Sequence, residues 1–207
     1  MASPSSPNEP GLFIYGKRRQ SRLGLPRSGF CIQSPFSPHY HTYVAVVTAE
    51  ANVVTLSVHY RRPPEHPLPI AHKDAWEVVQ WATTYSKGDG PEAWLNDRID
   101  FGRAFVTGDS AKGNIAHNMV LRAGVYGLVW TPNLVKLKCD KALVFVAEKD
   151  LMRDRGLAYY EALKKSGWVG ELKMVKIERE DYIFHLLNPT CENVVALIKG
   201  ISNPTLN

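Results

Sequence analysis

The run Asn52 to Tyr60, NVVTLSVHY, constrains this chain more than any other stretch. It is rich in apolar and β-branched residues, which fits a buried strand covered on both faces. Such a strand belongs to a parallel sheet, which needs crossover helices packed above and below it. The rest of the chain supplies them. RRPPEHPLP follows with four prolines and is expected to be a stiff loop without regular structure. From His72, Ala75, Val78, Val79, Ala82 and Tyr85 recur at helical spacing until KGDG ends the pattern. PEAWLNDRIDFGR reads as another loop, Ala104 to Thr107 as a short strand, and GDSAK as a turn into a helix that runs to Ala123. Ala142 to Glu148 predicts a buried strand, Arg155 to Ser166 a helix with Gly167 just past its end, and ELKMVKIE another strand. The last helix is expected to begin around Asn188 and Pro189 and to bury Val194, Val195, Leu197, Ile198 and Ile201. The fold class is therefore α/β, three layers around a mostly parallel sheet.

The 207 residues, 44% of them hydrophobic, suffice for one domain with a real core, placed here at residues 21–207. Residues 1–20 read as a disordered basic leader, Pro/Ser-rich at its start. Up to Arg27, five basic residues stand against Glu9, so +4 of the net charge of +5 lies there. Basicity confined to a leader, with no interleaved aromatics, argues against a nucleic-acid partner. Cys31, Cys139 and Cys191 are odd in number and show neither a CxxC pair nor zinc spacing, which suggests a reducing compartment and no metal. No apolar run approaches the ~18 residues of a membrane span, and no cofactor is implied. The expectation is a cytoplasmic protein that is not bound to membranes.

The chemistry concentrates in Val106 to Asn118, VTGDSAKGNIAHN. This is the strand-turn-helix that presents a serine nucleophile in the pattern GxSxG, here Gly108, Asp109, Ser110, Ala111 and Lys112, with lysine in place of the second glycine. A lone GxSxG is a weak signal, and an ordinary turn serine would carry the same letters. Asp150, after the strand ending in ALVFVAE, likewise fits either a catalytic carboxylate or a turn-capping one.

Beyond this motif, SVHYRRPPEHPLP, GDSAKGNIAHN, AEKDLMRDRG and DYIFHLLNP follow in the order and phrasing of a known family, and GFCIQSPFSPHYHTY resembles the segment after its oxyanion-hole loop. The chain from Gly29 onward resembles the plant carboxylesterases, the hormone-sensitive-lipase-like branch of the α/β-hydrolases. The resemblance implies an α/β-hydrolase fold and a triad in the chain order Ser, Asp, His. It implies Ser110 as nucleophile, Asp150 as the orienting acid, and the backbone N–H of Ala111 with Gly29 at the oxyanion hole. The implied partner is a small-molecule ester or ligand.

The chain also departs from the family. Tyr182 stands where the family's DHVFH-like phrase has its catalytic histidine, and tyrosine, titrating near pH ~10, is a poor general base at neutral pH. His185 is the remaining candidate base, although the family phrase carries it as a second histidine. His117 reads as a packing or surface residue and His66 falls in the proline loop. PRSGF, Pro26 to Phe30, replaces a His-Gly-Gly-Gly-type loop, so Pro26 cannot donate an N–H. The side chain of Lys112 must find another exit from the turn. The strands before the oxyanion loop are expected to be absent or scrambled in GLFIYGKRRQSRLGLP. Between Ala123 and Ala142 a strand, a helix and part of the lid are missing, so the α/β-hydrolase fold is incomplete, as in a shortened paralogue, a splice form or an imperfect gene sequence. Three readings follow: an impaired serine carboxylesterase, a silent ligand-binding relative of the gibberellin-receptor kind, or a truncated product without function. On the first, reversion at Tyr182 alone is expected to do little while Lys112 and the oxyanion loop remain as they are.

Overall fold

The computed structural model describes residues 11–15, 21–25, 37–88, 90, 92–97, 99–124 and 139–202. Its contacts group the chain into two compact units, Met1–Met119 with Ile198–Asn207, and Val120–Leu197.

The first unit is built on the strand that opened the sequence argument. β3, Val53–His59, is buried along its whole length. Its neighbours are β1, Gly11–Tyr15, running antiparallel, and β2, Ser21–Leu25, running parallel. β2 pairs in turn with β4, Ile99–Val106, again parallel, giving a four-stranded sheet in the order β1-β3-β2-β4. The strands before the oxyanion loop are thus present. Gly11–Tyr15 is a strand rather than part of a disordered leader, because the main-chain groups of β3 need partners on both edges. Within PEAWLNDRIDFGR, β4 begins at Ile99 and is preceded by the short helix α3, Ala93–Asn96, so little loop remains.

Helices cover both faces of β3. α1, Pro38–Ala51, was not expected from the sequence. It starts with proline at its first position, ends at Asn52 in the left-handed region with φ 50°, and buries Tyr40, Val44, Val47, Thr48 and Ala51. Thr48 Oγ1 donates to Thr55 Oγ1 at 2.8 Å, which marks this face of β3 as the one under α1. The other face carries Val54, Leu56 and Val58. Val54 and Leu56 pack with Ala82, Tyr85 and Leu95, while Val58 packs with Ala71 and Ala75 of α2, Ile70–Thr83, and with Ile115 and Met119 of α4, Ala111–Gly124. A strand buried on both sides, apolar on one and carrying Thr55, Ser57 and His59 on the other, thus fixes the layering.

The proline loop is anchored rather than merely stiff. The Arg61 guanidinium reaches both oxygens of Asp74, with Nη2 to Oδ1 at 2.6 Å, and the Arg61 backbone N–H donates to Oδ2 at 2.9 Å. The Asp74 side chain is only 1% exposed.

The second unit is a β-α-β crossover. β5, Lys141–Ala147, and β6, Glu171–Ile177, pair in parallel along their full length, joined by α5, Arg153–Lys165. Gly156 lets α5 sit close on β5, since a Cβ there would lie 2.6 Å from Val146 Cγ1. Gly167 follows the helix in the left-handed region with φ 82°, as expected of a C-terminal glycine. The end of the chain departs from expectation. Phe184–Leu187 forms a separate short helix, α6, and α7 begins at Glu192 and runs to Ser202. Asn188 is non-helical with φ -133° and ψ 70°, the bias of a residue before proline, so Pro189 lies in a turn and not at a helix start. No helix among the described residues is long and apolar enough to cross a membrane.

Candidate active site

Four of the candidate residues stand beyond the C-terminal end of a strand, where parallel α/β sheets place their chemistry. Ser110 follows β4, Asp150 follows β5, and Tyr182 and His185 follow β6. Ser110 and Ala111 belong to the first unit and the other three to the second.

Ser110 is exposed on a turn four residues after β4, with φ at 51°. A non-glycine residue in that region costs about 1 kcal/mol or more, and strain of this kind collects at functional turns. The Lys112 and Gly113 N–H groups donate to the carbonyls of Asp109 and Ser110, each at 2.9 Å, and so carry the turn into α4. Ala111 is the first residue of α4, with its N–H at the positive end of the helix. Gly29 and the rest of PRSGF lie outside the described residues, as do Cys31 and most of the shortened segment before β5.

The glycine that the turn most needs is Gly108. A Cβ there would lie 2.5 Å from the carbonyl carbon of Lys112 and 2.7 Å from its Cβ. The first turn of α4 therefore presses its main chain onto Gly108. At Gly113 the nearest atom to an added Cβ is the Gly108 carbonyl oxygen at 3.4 Å, an ordinary contact.

This packing explains how lysine is tolerated at 112. Only its backbone and Cβ meet Gly108, and the rest of the side chain runs inward, leaving 1% exposed. Its ammonium pairs with the Asp109 carboxylate and lies 3.8 Å from the centre of the Tyr40 ring. The Tyr40 hydroxyl donates to the same carboxylate at 3.4 Å. Tyr40 and the pairing of Asp109 were not assigned to a site from the sequence; the i, i+3 spacing of Asp109 and Lys112 was the one available sign. Burial pushes the Lys112 amine down to about 8, with Asp109 opposing part of that shift. Burial and the Asp109 charge hold the Tyr40 and Tyr43 phenols above their ordinary range.

A stability prediction follows for Lys112. The unfolded chain keeps this proton up to about pH 10.5, whereas the folded chain releases it near 8, so between these values unfolding takes up a proton and stability rises with pH. Below about 8 both states hold the proton and the burial cost is present in full. Lys112→Met removes that cost, and the raised tyrosines are common to both proteins. Urea titrations should find the variant more stable at neutral pH, with the gap closing by on the order of a few kcal/mol between pH 8 and 10.5. A gap that does not change with pH counts against the assignment.

In the second unit, Asp150 lies on the turn after β5. Its Oδ1 accepts the Met152 N–H at 2.6 Å and its carbonyl accepts the Arg153 N–H at 2.9 Å, the geometry of a carboxylate capping the turn into α5. This turn sits beside the loop after β6: the Lys149 N–H donates to the Glu180 carbonyl at 2.9 Å, and Glu148 Oε2 accepts the Arg179 N–H at 2.6 Å. Tyr182, 38% exposed, stands on that same loop. His185 is buried in α6 with its ring edge-on to Phe184, centroids 5.7 Å apart. Of the other histidines, His72 Nε2 donates to Asn114 Oδ1 at 3.1 Å, linking α2 to α4. His117 is half-buried, and burial lowers its pKa, which suits a packing residue.

Residues 28–137 match the family described as alpha/beta hydrolase fold. The chain is 37% identical to probable carboxylesterase 4, mitochondrial, of Arabidopsis thaliana, across 81% of its own length and 60% of that protein's. It is 35% identical to probable carboxylesterase 7 of the same plant, covering 84% of itself and 73% of that relative. Among solved structures, an esterase from Pyrobaculum calidifontis superposes with a TM-score of 0.72 at 20% identity, over 93% of this chain and 79% of that one.

Proposed function

The chain belongs to the alpha/beta hydrolase fold family, and from that premise we propose that it is a serine carboxylesterase relative that retains its nucleophile and has lost most of its turnover. The resemblance to carboxylic-ester hydrolases is plain. Because the chain spans 60% of the first relative, its own activity is inferred from its residues. The observation that carries the proposal is Ser110, exposed and held at a φ of 51° between β4 and α4. In this reading Ser110 Oγ attacks the carbonyl of a small ester and the Ala111 N–H, with Gly29, stabilises the oxyanion. Asp150 is the orienting carboxylate. Tyr182 occupies the place of the general base, and His185 is the remaining imidazole nearby in sequence. The proposal includes one α/β-hydrolase-like domain over residues 21–207 joined by the edge strand β1, a small-molecule ester or ligand as partner, and a cytoplasmic location, the last supported by the unpatterned cysteines.

Of the three departures seen in the sequence, the lysine at 112 is accommodated by its burial against Tyr40 and Asp109. Reversion of Tyr182 is therefore expected to do more than the sequence alone indicated. Turnover of p-nitrophenyl acetate should lie near background in the parent. Tyr182→His should raise it about tenfold or more, short of the ~10²- to 10⁴-fold that a base contributes in an intact site. Glycines at Arg27 and Ser28 should add to the gain. Strong parental turnover abolished by Ser110→Ala would show that another group serves as the base. No gain from any of these changes would favour the silent binding relative instead.

A further inference from the structure

The interior of the Ser110 turn holds a buried charge that the proposed chemistry does not use. Asp109 and Lys112 are bridged twice. Their main chains are joined by the Lys112 N–H to Asp109 carbonyl bond at 2.9 Å, and their side chains by the ammonium-carboxylate pair. The two bridges enclose Ser110 and Ala111 between them. A turn with glycine at position 112 would have only the main-chain bridge. The ammonium is also seated 3.8 Å from the Tyr40 ring centre, and the Tyr40 hydroxyl donates to the same Asp109 oxygen at 3.4 Å, so the outer bridge is fastened to α1. Asp109 on its own turn and the Tyr40 ring of α1 face the ammonium, and Tyr43 of α1 and Tyr60 after β3 act on Tyr40 in turn. A buried ion pair of this kind rarely repays its desolvation in stability, and its best-attested use is to specify one geometry.

We propose that Lys112 is a positioning residue for Ser110, acting through Asp109: its side-chain bridge holds the nucleophile turn in the left-handed conformation that aims Ser110 outward. The proposal rests on the reading of Ser110 as nucleophile. The lysine touches neither substrate nor reacting atoms. It sets the geometry, and displacements of about 1 Å at a nucleophile cost on the order of a hundredfold in rate.

The test is the second-order rate of Ser110 modification by an alkyl fluorophosphonate, followed by intact mass, in the parent, Lys112→Met and Asp109→Asn. Ser110 Oγ bonds to phosphorus, fluoride leaves, and the hydroxyl proton passes to solvent, so the reaction needs no turnover. Lys112→Met keeps the length of the stem and loses the charge. Both variants should react about tenfold more slowly or worse, while the thermal midpoint of Lys112→Met stays level or rises. A merely structural lysine would lower both together, and that result overturns the proposal, as does a Lys112→Met variant that reacts at the parental rate. The ¹³C shifts of Ser110 supply a readout that needs no reactivity. A left-handed signature present in the parent and lost in Lys112→Met supports the bridge, and one unchanged in the variant overturns it. A parent that keeps the signature but is not modified at Ser110 sinks the nucleophile reading and leaves the bridge standing.

Discussion

Arg61→Ala should destabilise the protein by about 3 to 5 kcal/mol, the largest loss expected from any single side chain outside the apolar core. The reason is what remains behind. The Asp74 side chain is 1% exposed, and it accepts from the guanidinium through Arg61 Nε and Nη2 and from the Arg61 backbone N–H. Truncating Arg61 leaves the carboxylate buried with one main-chain donor from that residue, and an uncompensated buried charge costs far more than an exposed ion pair. In a chain of this size the change amounts to roughly 10 °C in thermal midpoint. Replacing both partners, Arg61→Met with Asp74→Leu, should recover most of the loss, because the buried charge goes with its partner. A loss under about 1 kcal/mol for Arg61→Ala would mean that the carboxylate reaches water.

Gly108→Ala should damage stability less but reactivity more, for a steric reason. The added Cβ would stand 2.5 Å from the Lys112 carbonyl carbon, and the atoms it meets are main chain of the first turn of α4, which cannot swing aside as a long side chain can. Overpacking of this kind costs about 1 to 3 kcal/mol, and the backbone shift that relieves it moves Ser110 directly. Fluorophosphonate modification should therefore fall about a hundredfold. Gly113→Ala is the matched control. Its Cβ would meet the Gly108 oxygen at 3.4 Å, and alanine gains helix propensity of about 1 kcal/mol over glycine, so stability should hold or rise. Equal behaviour of the two variants, in melting and in labelling, would show that the close approach at Gly108 is not what shapes the turn.

What could be foreseen from the sequence divides by how local its cause is. β3 and β5 announced themselves through runs rich in apolar and β-branched residues, β6 through the short stretch ELKMVKIE, and the Ser110 turn through GDSAK, because those letters act on their immediate neighbours. α1 did not: Val44, Val46, Val47 and Thr48 are β-branched and disfavour a helix locally, and the burial of Val44, Val47 and Thr48 on one side of it depends on the face of β3 beneath them. β1 and β2 are five residues each and flank the charged KRRQ, so only pairing with β3 and β4 reveals them. α7 was misplaced at its start because the favourable position of proline at a helix beginning was weighed above the bias of Asn188 just before it. At the site, lysine at 112 looked like a plain defect. Its accommodation depends on Tyr40, which stands 69 residues from Asp109 along the chain, and spacing in sequence does not reveal contacts of that kind.

The burial of Lys112 also bears on any redesign of the turn. Its stem fills the space beneath the turn, and its charge serves Asp109 and the Tyr40 ring together. A glycine at that position would open a void against Tyr40 and leave the turn with its main-chain bridge alone. Lysine at 112 is in this sense keyed to its pocket, and glycine in its place is uphill for as long as Tyr40 stays where it is. On the proposed function, a gain of ester turnover is therefore sought first at Tyr182, with the Ser110 turn left as it stands.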